Sequence, residues 1–205
     1  DYKPKFKLDY VGGGAGVGVG TSQRFGTQTG AVGGIDLLFG DMLGQNQLYT
    51  SIFLNGEIQD FGGGVSYINQ KGRIGWGVGL SHIPLRRDYF GRELTTYQLN
   101  NGETVQAIHD QTTTIRTFRE QLSLFAQLPI SKTLRVEGGV SLASFSNQIT
   151  LNDYYYEANT GIFLERTRER FKPEELGLNL FSGQLVQANI ALVGDNSYFG
   201  IASPL

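Results

Sequence analysis

A chain of 205 residues has the length of one ordinary domain; its 29 glycines and 12% aromatics are high, and its 18% charged residues fall below the usual ~25%. A net charge of −2 at pH 7 gives no electrostatic reason to expect nucleic acid, and the absence of cysteine excludes disulfides, thiolate metal sites and a cysteine nucleophile. Mean hydropathy is −0.20, no apolar run approaches the ~20 residues of a spanning helix, and no signal peptide opens the chain, so an exported protein would be a mature or excised piece.

The first element is an apolar strand pattern at Phe6–Val11, which runs into VGGGAGVGVGTS at Val11–Ser22. Neither phosphate-binding motif fits this run. The third glycine of a dinucleotide fingerprint falls on Val17, Val19 or Thr21, and a Walker loop would need lysine where Gly20 stands. No helical period follows to aim N–H groups at phosphate. Gly12–Gly20 is therefore expected to be a loop-end turn or a closely packed segment between the first two strands.

From here the period is two. Alternating strands are expected at Gly33–Phe39, where Asp36 opposes Ile35 and Leu37, then at Leu48–Leu54 and Phe61–Tyr67. In Arg73–Ser81, Ile74, Trp76, Val78 and Leu80 take one face, and Gly75, Gly77, Gly79 and Ser81 the other. Leu122 and Leu124 share a face of Gln121–Pro129. Val140 opposes Arg135 and Glu137 in Thr133–Ala143, and Ile190 opposes Gln187 and Asn189 in the last strand. This makes roughly eight strands. Short turns are expected at Gly40–Asn46, Asn69–Gly72 and Ile130–Thr133, and long polar loops at Arg87–Gln111 and Asn147–Asn179, the second with a short helix within Arg166–Leu176.

Counting strands up and down puts the short turns at one end and the long loops at the other, as in an antiparallel outer-membrane barrel. A soluble eight-stranded barrel holding an apolar ligand would satisfy the same alternation. The glycine face favours the membrane: Gly62, Gly64, Gly75, Gly77 and Gly79 are too small for a solvated outer surface. On that reading Ile74, Trp76, Val78, Leu80, Leu122, Leu124, Val140 and Ile190 face lipid. Asp36, Gly75, Gly77, Gly79, Arg135, Glu137, Gln187 and Asn189 face the lumen, with another segment packed on the glycines. No catalytic, cofactor or metal constellation is expected. His82 and His109 are far apart and read as interfacial or loop residues, Glu174–Glu175 as a helix first turn, Tyr154–Tyr156 as a girdle, extended hairpin or binding loop, and Glu165–Arg170 as a solvated loop or strand stem.

Three stretches together, Asp9–Gln23, the turn Phe39–Leu48 and the tail Ala191–Leu205, resemble the barrel of the bacterial surface-antigen superfamily. The nearest likeness is to barrels that follow TolB-like propellers in Bacteroidetes and related bacteria. The likeness assigns Asp41, Leu43 and Gly44 to the family's early Asp-x-Leu-Gly turn, and Asp195 with Phe199–Gly200 to the turn after the eighth strand. The resemblance favours a larger, sixteen-stranded barrel of which this chain is a part over eight strands that close alone, which barrel geometry also permits. It also implies a Gram-negative outer-membrane location with outer-membrane lipid around it, no cofactor, and a role in envelope assembly or protein insertion and translocation. A preceding periplasmic propeller and envelope-assembly proteins would be partners. The Arg-Gly elements that mark the translocases are missing, so a purely structural anchor for the propeller stands as the alternative.

Overall fold

A computed structural model describes residues 4–22, 26–99, 101–131 and 133–194. They form one sheet of nine antiparallel strands: β1 Lys7–Ser22, β2 Gly26–Gly40, β3 Asn46–Gly56, β4 Phe61–Asn69, β5 Gly75–Gln98, β6 Thr104–Pro129, β7 Leu134–Glu157, β8 Phe163–Phe171 and β9 Gly183–Gly194. Successive strands pair in antiparallel order from β1 to β8, β9 returns to β7, and a single parallel bridge joins Gly26 of β2 to Asp88 of β5. β8 takes Ile149–Tyr156 of β7 and β9 takes Leu134–Phe145, so the two are halves of a single eighth ribbon. Between them residues 172–182 leave the sheet, and Asn147 Nδ2 holds their return by donating to Phe181 O at 2.7 Å. Among the described residues no backbone pairing joins β1 to β9, and the sheet stays open.

The expected short turns are where alternation stops. Asp41 builds the first: its Oδ1 accepts the Gln45 amide at 2.7 Å, its Oδ2 accepts Asn46 Nδ2 at 2.7 Å, and Gly44 supplies φ of 64°. At the last, the amides of Ile130 and Ser131 both donate to Leu134 O.

Three expectations are corrected. Arg87–Gln111 is mostly strand, with β5 running to Gln98 and β6 starting at Thr104; Asn147–Asn179 likewise holds the ends of β7 and all of β8. These segments pair through backbone groups and cross-strand polar contacts, so they need no apolar alternation. Gly12–Gly20 lies inside β1, paired residue by residue with β2. Within Arg166–Leu176 helix is confined to a 3-10 turn at Pro173–Leu176, stopped by Gly177 at φ 66°; Arg166–Phe171 is strand, its charges alternating across β8. A second 3-10 turn, Ile58–Asp60, joins β3 to β4 at the loop end.

Candidate functional site

Directly paired residues in an antiparallel sheet point to the same side, so the register assigns side chains to faces. Trp76, Val78 and Leu80 pair with Ala126, Leu124 and Leu122, which pair with Gly138, Val140 and Leu142, which pair with Ile190, Ala188 and Val186. All the residues expected to face lipid therefore share one side except Ile74, which sits in the turn before β5. The other side gathers Gly75, Gly77 and Gly79 with Arg135, Glu137, Gln187 and Asn189 through the same pairings, and Asp36 joins them through Ser51 and Gly64. Asp195, Phe199 and Gly200 lie outside the described residues.

The apolar side is uncovered. Leu80 is 56% and Ile190 83% exposed, and Trp76, Leu122, Leu124 and Val140 are about half exposed. Its upper boundary on β5 to β9 is a single polar row, His82, Glu120, Ser144 and Gln184, each paired with the next. His82 Nδ1 lies 3.3 Å from Glu120 Oε1, and its ring stacks on Phe118. Near the short-turn end Trp76 meets Tyr67 edge to face, and Tyr67 Oη donates to Asn46 Oδ1 at 2.6 Å.

The glycine side is filled differently from the expectation. A Cβ on Gly77 would fall 2.4 Å from the Phe125 ring and 2.9 Å from Tyr67 O, and one on Gly62 2.5 Å from the Phe53 ring. Side chains of neighbouring strands lie flat across the glycines, and no separate segment is needed to explain them. On the same side Tyr49 Oη donates to Asp36 Oδ1 at 2.7 Å, and Arg135 Nε donates to Glu137 Oε1.

Towards the loop end the apolar side changes character without a break in alternation. After Leu80 and His82 it carries Arg86 and Asp88, paired across β6 with Arg116 and Thr114. Arg116 and Asp60 are fully buried. Arg116 Nε donates to Asp60 Oδ1 at 2.8 Å and its Nη1 to Thr150 Oγ1 at 3.1 Å. Arg86 grips Asp88 at 2.9 Å and Asp60 at 3.2 Å, and Arg168 reaches Glu57 Oε2 at 2.8 Å. Three guanidiniums thus meet three carboxylates, and the β3–β4 connection is clamped onto β5, β6 and β8. Burial pushes the Glu57 carboxyl up, but the Arg168 hydrogen bond and the charges of Arg116 and Arg86 outweigh it and hold it below its ordinary range. The sequence signal for this cluster was present, charges two apart at Arg86 and Asp88, but Asp88 fell in a stretch read as loop, Arg87–Gln111.

His109 is the other polar centre. Its Nδ1 is 3.1 Å from Glu93 and its Nε2 2.8 Å from Asp153, and its ring stacks on Tyr155 at 4.5 Å. Burial lowers its basicity, yet the two carboxylates raise it above the ordinary histidine value. Both ring nitrogens are engaged, which leaves none to ligate a metal. Tyr154–Tyr156 lie within β7, which makes them part of an extended hairpin. Among the described residues no helix is long and apolar enough to cross a membrane, a statement that does not bear on strands.

Compared with known proteins, the chain matches no family model, no curated protein and no solved structure.

Proposed function

We propose that this sheet is part of the wall of a transmembrane β-barrel in the outer membrane of a Gram-negative bacterium, with the Trp76–Leu80 side against lipid and the glycine side towards the lumen. What supports the reading is the slant of the apolar band. Strands lie ~4.8 Å apart and rise ~3.3 Å per residue, so a level plane crossing strands tilted by 35–45° climbs about 1–1.4 residues per strand. Over the four steps from β7 to β3 that makes about 4–6 residues.

The lower edge of the band is Leu134 on β7 and Leu48 on β3. Leu48 shares a register row with Tyr67, Val78, Leu124 and Val140, and Val140 is six residues beyond Leu134. The upper edge is Leu142 on β7 and Leu54 on β3; the row of Leu142 ends at Thr50, four residues short of Leu54. Both edges slant the same way by the amount tilted strands require. From Leu134 to Leu142 the band is about 20 Å high after tilt, near the ~25 Å apolar belt of such barrels.

By the resemblance carried in the Asp41–Gly44 turn, the role is envelope assembly or protein insertion beside a periplasmic propeller, without enzymatic chemistry. The protein's single tryptophan tests the membrane reading directly. In vesicles of brominated phosphatidylcholine, Trp76 fluorescence is expected to be strongly quenched, most by bromines placed below the headgroup. Unquenched emission from folded protein that stays dispersed without detergent would overturn the wall and favour a soluble, ligand-holding barrel.

A further inference from the structure

Where the polar row crosses the apolar side there is a hollow of about 700 Å³, the size of small-molecule sites. Its lower lining is apolar, with Ile52, Val65, Leu80 and Leu122, and its upper rim carries His82 and Glu120. The notch exists because Gly63 stands in the register between Ile52 and His82 and contributes no side chain. A Cβ there would lie 2.5 Å from the backbone oxygen of Ser51, so the notch is built into the strand geometry.

We infer that this hollow is a binding site for a zwitterionic phospholipid with a primary-amine headgroup, held on the outer wall of the barrel. The inference rests on the membrane reading above and adds a ligand to it. An amphiphile seated at this height places its first acyl carbons over Leu80 and Leu122 and its headgroup level with the polar row. The rim offers both halves of a zwitterion their complement. The Glu120 carboxylate, half exposed, accepts from an ammonium. His82 Nδ1 faces Glu120, and the Ser144 hydroxyl and Gln184 amide on the same rim supply the donors for a phosphate oxygen. A phospholipid with an anionic headgroup and no amine meets Glu120 as a like charge, so the rim selects as well as binds.

The test is native mass spectrometry of the full-length protein released from detergent in equimolar phosphatidylethanolamine and phosphatidylglycerol. Retained phosphatidylethanolamine is expected to exceed phosphatidylglycerol by about tenfold, the size of one charge-assisted hydrogen bond. Glu120→Gln is expected to bring the two lipids to parity, and Val65→Phe, which fills the hollow from β4, two strands away from Glu120, to remove the bound lipid altogether. Heat-modifiable gel migration establishes that each variant is folded. Equal retention by the unmodified protein, or a preference that survives both substitutions, overturns the site. Either of those results with Trp76 still quenched by brominated lipid leaves the membrane wall standing; loss of quenching removes the wall itself.

Discussion

The lower and upper halves of β5, β6 and β7 are built on one uninterrupted alternation, yet they invert what that alternation means. From Gly75 to Leu80 the even-numbered residues are apolar, with Trp76 and Leu80 exposed, while Gly75 and Gly77 are buried; from Pro84 to Asp88 Pro84 and Asp88 are buried, Arg86 between them is partly buried, and two of the three are charged. No bulge separates the halves, since β5 and β6 stay in register from Gly75–Gln127 to Gln98–Thr104. Period alone therefore fixes which residues share a side, and the surroundings decide whether that side is dry, wet or against lipid. In the lower half nothing in the described chain covers it. Higher up, Glu57 and Asp60 fold over it and bring countercharges with them.

The largest effect that separates the halves is expected at Asp60. Asp60→Ala removes the buried carboxylate shared by Arg86 and Arg116, the second of them fully buried, and removal of one member of a buried ion pair typically costs about 3–5 kcal/mol. Urea titration in micelles should show that loss, with the β3–β4 connection newly open to protease; an unchanged midpoint would mean the cluster is decorative. Leu124→Arg should cost about 2–4 kcal/mol of membrane-inserted stability, the penalty for arginine near a bilayer midplane. The same change at Leu94, in the upper half and 74% exposed, should stay within about 0.5 kcal/mol. Equal costs at the two sites would erase the distinction between the halves.

On the glycine side the expected cost is smaller. Gly77→Ala presses on the Phe125 ring and on a backbone oxygen, for about 1–3 kcal/mol of overpacking strain. Adding Phe125→Ala should recover part of it, and purely additive losses would show that the ring does not lie on Gly77 as described. The smallest effect concerns pH. His109 has a raised basicity in the folded protein, so its contribution is complete below the ordinary value of about 6.5 and fades as pH rises through the higher folded value. Amide exchange at the upper ends of β5 to β8 should accelerate between pH 6 and 9 beyond the intrinsic rate, and His109→Gln should abolish that excess.

Much of the sheet was legible because apolar and small or polar residues alternate wherever the two sides of a strand face different surroundings. Trp76, Leu124, Val140 and Ile190 came out on one side, and Gly77, Glu137 and Asn189 on the other, from parity alone. The upper strands were not legible for the complementary reason. Thr112–Thr114 and Tyr154–Tyr156 satisfy their backbone across the ladder, and polar side chains on both sides of a strand leave no period to read. The ion cluster was hidden for a third reason: Asp60 and Arg116 are 56 residues apart, and only the register brings them together. The filling of the glycines was also invisible, because Phe125 covers Gly77 from the next strand.

The divided eighth ribbon carries one more consequence. Because β8 and β9 are each locked to β7 by their own ladders, the length of chain between them sets no alignment above or below. Insertions within residues 172–182 can lengthen the excursion while both ladders keep their partners. The sheet thus has a point where segment length can drift over evolutionary time, or where a reporter peptide can be displayed, at no cost to strand alignment.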